Sequence, residues 1–283
     1  MATVNEKMTA IADAIRDKTG GTEALTLDGM AENIPKVYET GEKSGYNKEN
    51  LAWFNMITNN GKRETGTRMF NECNLDEIVL PKPITGITMA GKMFYNMSDT
   101  TTLPPKEMID LSSVDVANSN VGSDYSVNHA FGSCGKIKYI PDYGIQAPYQ
   151  YYATYASCRS LEEIELVRSN ENTKYINTFV NDTSLTTIHF EGVIGTDFDI
   201  HYSPLSVASL KSIIKHLKPY YGTDKEFTCT LTVKTSAWEA LEEAGFTDED
   251  YQWVFDNWGT PPSAYDSWET LMGGWLGWNL VLA

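Results

Sequence analysis

Basic residues are scarce in this chain, with 22 Lys and Arg against 38 Asp and Glu and a formal net charge of −16. Because contacts with a phosphate backbone depend on Lys and Arg, this balance argues against a nucleic-acid-binding protein. No apolar run approaches the roughly 20 residues that a membrane-spanning helix needs, so we expect no membrane insertion. Charges at Glu6, Lys7 and Asp13 interrupt the N-terminal segment, so we expect no signal peptide and synthesis in a cytoplasm.

Residue patterns typical of catalysis and metal binding are also missing. The four cysteines form no C-x-x-C pair, so we expect small buried thiols rather than zinc or redox chemistry. No two of the four histidines have the spacing of metal ligands on a helix. The segment GITMAGKM at 86–93 is similar to a phosphate-binding loop, but Met93 stands where a Ser or Thr would contact magnesium. The sequence therefore predicts no enzymatic activity, no metal and no cofactor.

Apolar residues make up 41% of the chain and aromatic residues 12%, which is typical of a folded protein and excludes intrinsic disorder. At about 150 residues per domain, a chain of 283 residues is expected to form roughly two structural units. An amphipathic helix is expected near the N-terminus, where Val4, Met8 and Ile15 share one face and Gly20 follows. A polar linker and a further helix at 48–58 come next.

Five segments between residues 67 and 200 repeat one pattern. Each begins with an aromatic residue, which we call the anchor, and carries a Leu or Ile eight or nine positions later. The anchors are Phe70, Phe94, Phe131, Tyr155 and Phe179, which are 24, 37, 24 and 24 residues apart. In three repeats the residue three positions after the anchor is a cysteine, namely Cys73, Cys134 or Cys158.

A spacing of 24 lies within the range of leucine-rich repeats, roughly 20–29 residues, and the longer interval indicates an insertion near 105–127. One repeat cannot bury its own apolar residues, so successive copies are expected to stack the anchors and the cysteines into shared rows. The runs EEIEL (162–166) and TTIHF (186–190) predict short strands. The predicted fold class is therefore α+β: a leucine-rich-repeat-like solenoid with an N-terminal helical module and a C-terminal α/β cap.

The last third of the chain changes pattern again. Ser203 and Pro204 predict a helix start, and an apolar stripe follows up to Pro219. Alternation over 227–233 predicts a strand, and capping-box patterns at 236–239 and 247–250 predict two more helix starts. The predicted organisation is an N-terminal helical docking module (1–45), a connecting helix and turn (46–66), the solenoid (67–200) and the α/β cap with its Trp-rich acidic tail (201–283).

Three neighbouring tyrosines, Tyr149, Tyr151 and Tyr152, form the candidate recognition surface. Tyrosine supplies rigid amphipathic contact area and is enriched at interfaces. The alternative interpretation is that these side chains cover the edge of the repeats and bind nothing.

The order of the segments resembles that of tail-associated proteins from phages and prophages of Gram-positive gut bacteria. Those proteins open with a segment similar to IADAIRDKTGG (11–21) and continue with one similar to NLAWFNMITNNGKRE (50–64). The repeats resemble irregular BspA-type leucine-rich repeats. The segment FEGVIGTDFDIHYSPLSVASLKSIIKHLKP (190–219) and the ending GWNLVLA (277–283) are similar to the C-terminal part of the same family.

The resemblance implies a non-enzymatic structural or recognition component of a phage or prophage tail, in the tail tip, baseplate or fibre. It implies other tail or baseplate proteins and a host surface glycan or protein as partners, location in the virion, and a homo-oligomer such as a trimer. The family carries no established catalytic residues, so none is transferred. The alternative function is a bacterial cell-surface adhesin or a protein–protein interaction module with the same repeats, and an envelope-degrading enzyme is a third class.

Overall fold

The computed structural model describes residues 12–13, 66–73, 78, 80, 83–117, 126–259 and 266–283. The predicted N-terminal docking module and the connecting helix therefore lie outside the described residues, except for the helical pair Ala12 and Asp13 and for Gly66. Within the described ranges, no helix is both long and apolar enough to cross a bilayer.

The described residues form eight short strands and four α-helices. The strands are β1 (Tyr139–Ile140), β2 (Gln150–Tyr152), β3 (Glu163–Ser169), β4 (Lys174–Ile176), β5 (Thr187–Gly192), β6 (Phe198–Asp199), β7 (Thr230–Val233) and β8 (Asn279–Leu282). The helices are α1 (Val207–His216), α2 (Thr235–Ala244), α3 (Asp248–Trp258) and α4 (Trp268–Leu271), with a 3₁₀ turn at Lys106–Met108 and a π-helical turn at Met272–Leu276. The strands pair in parallel in three sheets, ordered β1-β3-β5, β2-β4 and β6-β7-β8.

The predicted fold class, an α+β solenoid, is wrong. The described residues form a mixed α/β structure whose parallel strands belong to three small sheets, and no single solenoid sheet connects them. The described part of the first two repeats forms an isolated bridge between Ile84 and Ile109 instead of strands. Prolines at 104 and 105 have no N–H to donate, which limits strand pairing in this part. The helices also alternate with strands, since α1 lies between β6 and β7 in the chain and α2 to α4 lie between β7 and β8.

The repeat spacing appears in the register of the parallel strands. Tyr139 of β1 pairs with Glu163 of β3, and Glu163 pairs with Thr187 of β5. Gln150 of β2 pairs with Lys174 of β4. Each of these partners is 24 residues away, so a strand lies beside the equivalent strand of the next repeat. Neighbouring repeats are therefore one strand spacing apart, about 4.8 Å.

The five anchor residues form one continuous row of aromatic rings, and all five are buried. Ring centroids are 5.2 Å apart for Phe70 and Phe94, 5.5 Å for Phe94 and Phe131, and 5.7 Å for Phe131 and Tyr155. The last step, from Tyr155 to Phe179, is also 5.7 Å. All four pairs are stacked with interplanar angles of 8–12°, a favourable aromatic arrangement that adds to the burial of apolar area.

A second row places small side chains against the neighbouring backbone. The thiols of Cys134 and Cys158 are buried and donate to the carbonyl oxygens of Phe94 and Phe131, at 2.8 and 2.9 Å. Cys73 is only half-buried. In the last repeat this position is occupied by Asp182, which is fully buried and accepts a hydrogen bond from the backbone N–H of Cys158 at 2.9 Å.

Two of the three predicted C-terminal helix starts differ from the structure. Helix α1 begins after Ser206, whose hydroxyl accepts from the N–H of Ser209. It does not begin at Ser203, because the N–H of Ser206, from which a cap at Ser203 would accept, donates to the carbonyl of Thr186 at 2.9 Å. Helix α2 begins after Lys234, without a side-chain cap. The prediction is confirmed for α3, where Thr247 and Asp250 form the capping box.

Candidate recognition surface

Tyr151 does not belong to an exposed surface, which corrects the sequence prediction. It is the central residue of β2 and is buried with 1% exposure. Its ring packs against Tyr155 and Tyr175, and its hydroxyl donates to the carbonyl of Arg168 at 2.9 Å. Burial raises the pKa of the Tyr151 phenol well above its ordinary value. Because successive residues of a strand point to opposite faces, the burial of Tyr151 directs Tyr152 the other way.

Tyr149 is half-buried and engaged with a lysine from the next repeat. The Lys174 ammonium lies 4.8 Å from the ring centroid of Tyr149 and donates to its hydroxyl oxygen at 2.9 Å. The backbone N–H of Tyr149 donates to the carbonyl of Val116 at 2.6 Å. The ring is therefore held in place while the residue remains partly exposed.

Tyr152 is part of a half-buried row that we call the aromatic strip, defined as Tyr95, His129, Tyr152 and Ile176. The ring of His129 lies between the two tyrosines, 5.7 Å from Tyr95 and 5.2 Å from Tyr152 between centroids. Ile176 is 36% exposed and pairs with Tyr152 in the β2–β4 register. Four successive repeats therefore each contribute one large side chain to the strip.

The turns between repeats position the strip. His129 has a positive φ of 54°, and its N–H donates to the carbonyl of Tyr152 at 2.9 Å. Gly132 lies close to the Tyr95 ring. A Cβ atom at Gly132 would be 3.3 Å from that ring and 3.1 Å from the carbonyl oxygen of Ala153. The absence of a side chain at Gly132 lets the Tyr95 ring lie close against the next repeat. At the end of the strip formed by Tyr95, the Lys92 ammonium lies 5.2 Å from the centroid of the Tyr95 ring.

A charged network joins β1, β3 and β5 to Asp142, which follows β1, and to Lys106 of the 3₁₀ turn. Arg168 donates through two nitrogens to both carboxylate oxygens of Asp142 at 2.8 Å, and its Nε donates to Glu191 at 2.9 Å. Glu165 accepts from the Lys106 ammonium and the Tyr139 hydroxyl, each at 2.6 Å. These donors lower the pKa of Glu165 to about 2. Every carboxylate in this network therefore has a cationic or hydroxyl partner, an arrangement that favours stability over acid–base chemistry.

The geometry of the strip favours contact with another molecule rather than a reaction. Half-buried tyrosine rings offer apolar faces that are already ordered, and their hydroxyls can donate and accept hydrogen bonds. Within the described ranges, no group of three or more His, Cys, Asp or Glu side chains could hold a metal ion. No family model matches the chain, and no curated protein and no solved structure is significantly similar to it.

Sequence reasoning identified Tyr152 but missed Tyr95 and His129. Tyr95 follows its anchor by one position, whereas His129 and Tyr152 precede theirs by two and three positions. Because the strip does not use one fixed position of the repeat, the pattern that reveals the anchors cannot reveal it. The available signal was weaker: a large side chain next to, or shortly before, each anchor.

Proposed function

We propose that the protein is a non-enzymatic recognition component of a phage or prophage tail, and that it binds a host surface glycan or protein through the aromatic strip. Tail or baseplate proteins would be its structural partners, and the virion its place of action. The tail assignment is supported by the resemblance of the segment order to tail-associated proteins. The binding role is carried by one observation, the row of half-buried rings at Tyr95, His129 and Tyr152.

Rigidity supports a binding role for this strip. Its rings stand on repeats that are joined through buried stacked anchors, so little conformational entropy remains to be lost when a partner binds. Interfaces concentrate their binding free energy in a few aromatic residues, often tyrosines. The net charge of −16 argues against attraction to anionic polymers in general and favours recognition by a local surface.

A binding assay with point variants tests the strip. Fluorescently labelled protein is titrated onto envelope preparations of Gram-positive gut bacteria, and the Tyr152→Thr and Tyr95→Ser variants are compared with the parent chain. Threonine keeps the strand preference of β2, and the loss of a central tyrosine is expected to weaken binding about fivefold or more. The control is Tyr221→Thr, which removes an exposed tyrosine outside the strip. Equal binding by the strip variants and the parent would exclude the strip as the contact surface.

A second experiment tests the tail assignment separately. An antibody against the purified chain is applied to particles released from an induced host strain, and gold label is located by electron microscopy. Label on tail tips or baseplates is the expected result. Label confined to bacterial cell walls would favour the adhesin alternative and contradict the tail assignment.

A further inference from the structure

A polar groove separates α1 from α3 and shares no residue with the aromatic strip. Its volume is about 530 Å³, within the range of roughly 300–1,000 Å³ that small-molecule sites occupy. One wall is formed by α1, where Lys215 lies about one helical turn after Lys211 and Ser212, which precede it by four and three residues. The other wall is the first half of α3, and its members are Thr247, Glu249, Asp250 and Trp253.

A buried carboxylate organises the two lysines of this groove. Asp250 is 3% exposed and accepts from the Lys211 ammonium at 2.6 Å and from the Lys215 ammonium at 3.1 Å. The Thr247 hydroxyl also donates to Asp250, at 2.8 Å. Burial alone would raise the pKa of Asp250, but the donors from Lys211, Thr247 and Lys215 lower it to about 2. One ionised carboxylate therefore faces two ammonium groups, which leaves one positive charge in excess among these three side chains, while the exposed carboxylate of Glu249 lines the same groove.

The two lysines differ in what else they contact. Lys211 lies 5.2 Å from the ring of Trp268, which is fully buried. Lys215 lies 5.2 Å from the ring of Trp253, which is half-buried and lines the groove. A lysine ammonium has three N–H donors, so Lys215 retains hydrogen-bonding capacity beside an accessible indole.

We propose that the α1–α3 groove binds a monoanionic sugar of the uronic acid class, with the carboxylate at Lys215 and the sugar ring against Trp253. A lysine offers a charge-assisted hydrogen bond to a carboxylate, and an aromatic wall suits the apolar face of a sugar ring. Ser212, Thr247 and the exposed carboxylate of Glu249 supply partners for sugar hydroxyls. Glu249 also disfavours dianions such as phosphate, because like charges would face each other.

The test uses methyl glucuronide as the probe, with methyl glucoside as its neutral counterpart and inorganic phosphate as a competing anion. The readout is the indole N–H signal of Trp253 in spectra of tryptophan-labelled protein, assigned with a Trp253→Phe variant. We expect saturable shifts with the glucuronide at millimolar concentrations and at least tenfold weaker binding of the glucoside, because one charge-assisted hydrogen bond corresponds to about that factor. Tighter binding of phosphate, or equal binding of both sugars, would overturn the proposal, as would the absence of any saturable shift.

Three variants identify the group responsible. Lys215→Gln is expected to weaken glucuronide binding about tenfold, and Lys138→Gln, which removes an equal charge from an exposed site in the repeats, should leave it unchanged. Glu249→Gln removes a like charge from the rim and should tighten binding severalfold, so the proposal stays testable if Lys215→Gln impairs folding. Unchanged glucuronide affinity in either Lys215→Gln or Glu249→Gln would contradict the proposal. Because the aromatic strip shares no residue with the groove, a negative result for one of the two sites leaves the proposal for the other unaffected.

Discussion

Asp182 provides the sharpest test of how the repeats pack, since a carboxyl group there replaces the buried thiol of the preceding repeats. One carboxylate oxygen accepts from the N–H of Cys158, whereas the other has no hydrogen-bond partner among the described residues. Burial raises the pKa of Asp182 from its ordinary value of 3.8 to about 8. The folded protein therefore holds a neutral carboxylic acid at this position near neutral pH.

The raised pKa makes folding stability depend on pH with a definite sign. Between pH 3.8 and about 8 the folded state binds a proton at Asp182 that the unfolded state has lost, so the free energy of unfolding falls as pH rises. Each pH unit corresponds to about 1.4 kcal/mol, which gives an upper bound of about 6 kcal/mol over the whole interval. Water entering the site would reduce this amount.

Two substitutions isolate this contribution. Asp182→Asn removes the ionisable group, and Asp182→Cys restores the residue type of the preceding repeats, whose thiols donate to backbone carbonyls. Urea unfolding of both variants and the parent, followed by tryptophan fluorescence, is measured at several values between about pH 5 and pH 8. We expect both variants to gain stability relative to the parent as pH rises, at up to about 1.4 kcal/mol per unit. Parallel pH profiles for all three proteins would refute the reasoning.

Three further predictions concern the repeats and the C-terminal helices. Phe131→Ala should lower the free energy of unfolding by about 3–5 kcal/mol, because it empties the centre of the aromatic row, whereas Tyr221→Ala at an exposed site should change it by less than about 0.5 kcal/mol; urea denaturation checks both. Thr247→Ala should lower it by about 1 kcal/mol through loss of the α3 cap, measured in the same way. Glu165→Gln should destabilise the protein at neutral pH, and because the folded pKa is lowered from 4.5 to about 2, thermal melts should show the difference shrinking as pH falls through that interval.

The stacked anchors could be predicted from the sequence because residues of one chemical type recur at a constant interval. Phe131, Tyr155 and Phe179 satisfy both the period and the internal spacing of the repeat, and a repeated apolar residue has to pack against its copies to be buried. The capping box of α3 was equally readable, since Thr247 and Asp250 lie within one helical turn and depend on no distant partner.

The fold class and the strip could not be predicted, because they depend on contacts between distant segments. The helix starts at Ser206 rather than at Ser203 because the N–H of Ser206 donates to the carbonyl of Thr186, 20 residues earlier. Strand phase decides which of Tyr151 and Tyr152 reaches the surface, because a shift of one residue exchanges the two faces. A cluster of tyrosines in sequence contains no information about that phase.

The repeats pack through the row of anchor rings, and contacts between ring protons test this row most directly. In deuterated protein with protonated Phe and Tyr rings, nuclear Overhauser effects are recorded from Phe131, with a Phe131→Leu variant for assignment. Centroid distances of 5.5 Å to Phe94 and 5.7 Å to Tyr155 predict cross-peaks to both rings and their loss in the variant. Cross-peaks from Phe131 to neither ring would contradict the stacking of repeats on which the aromatic strip depends.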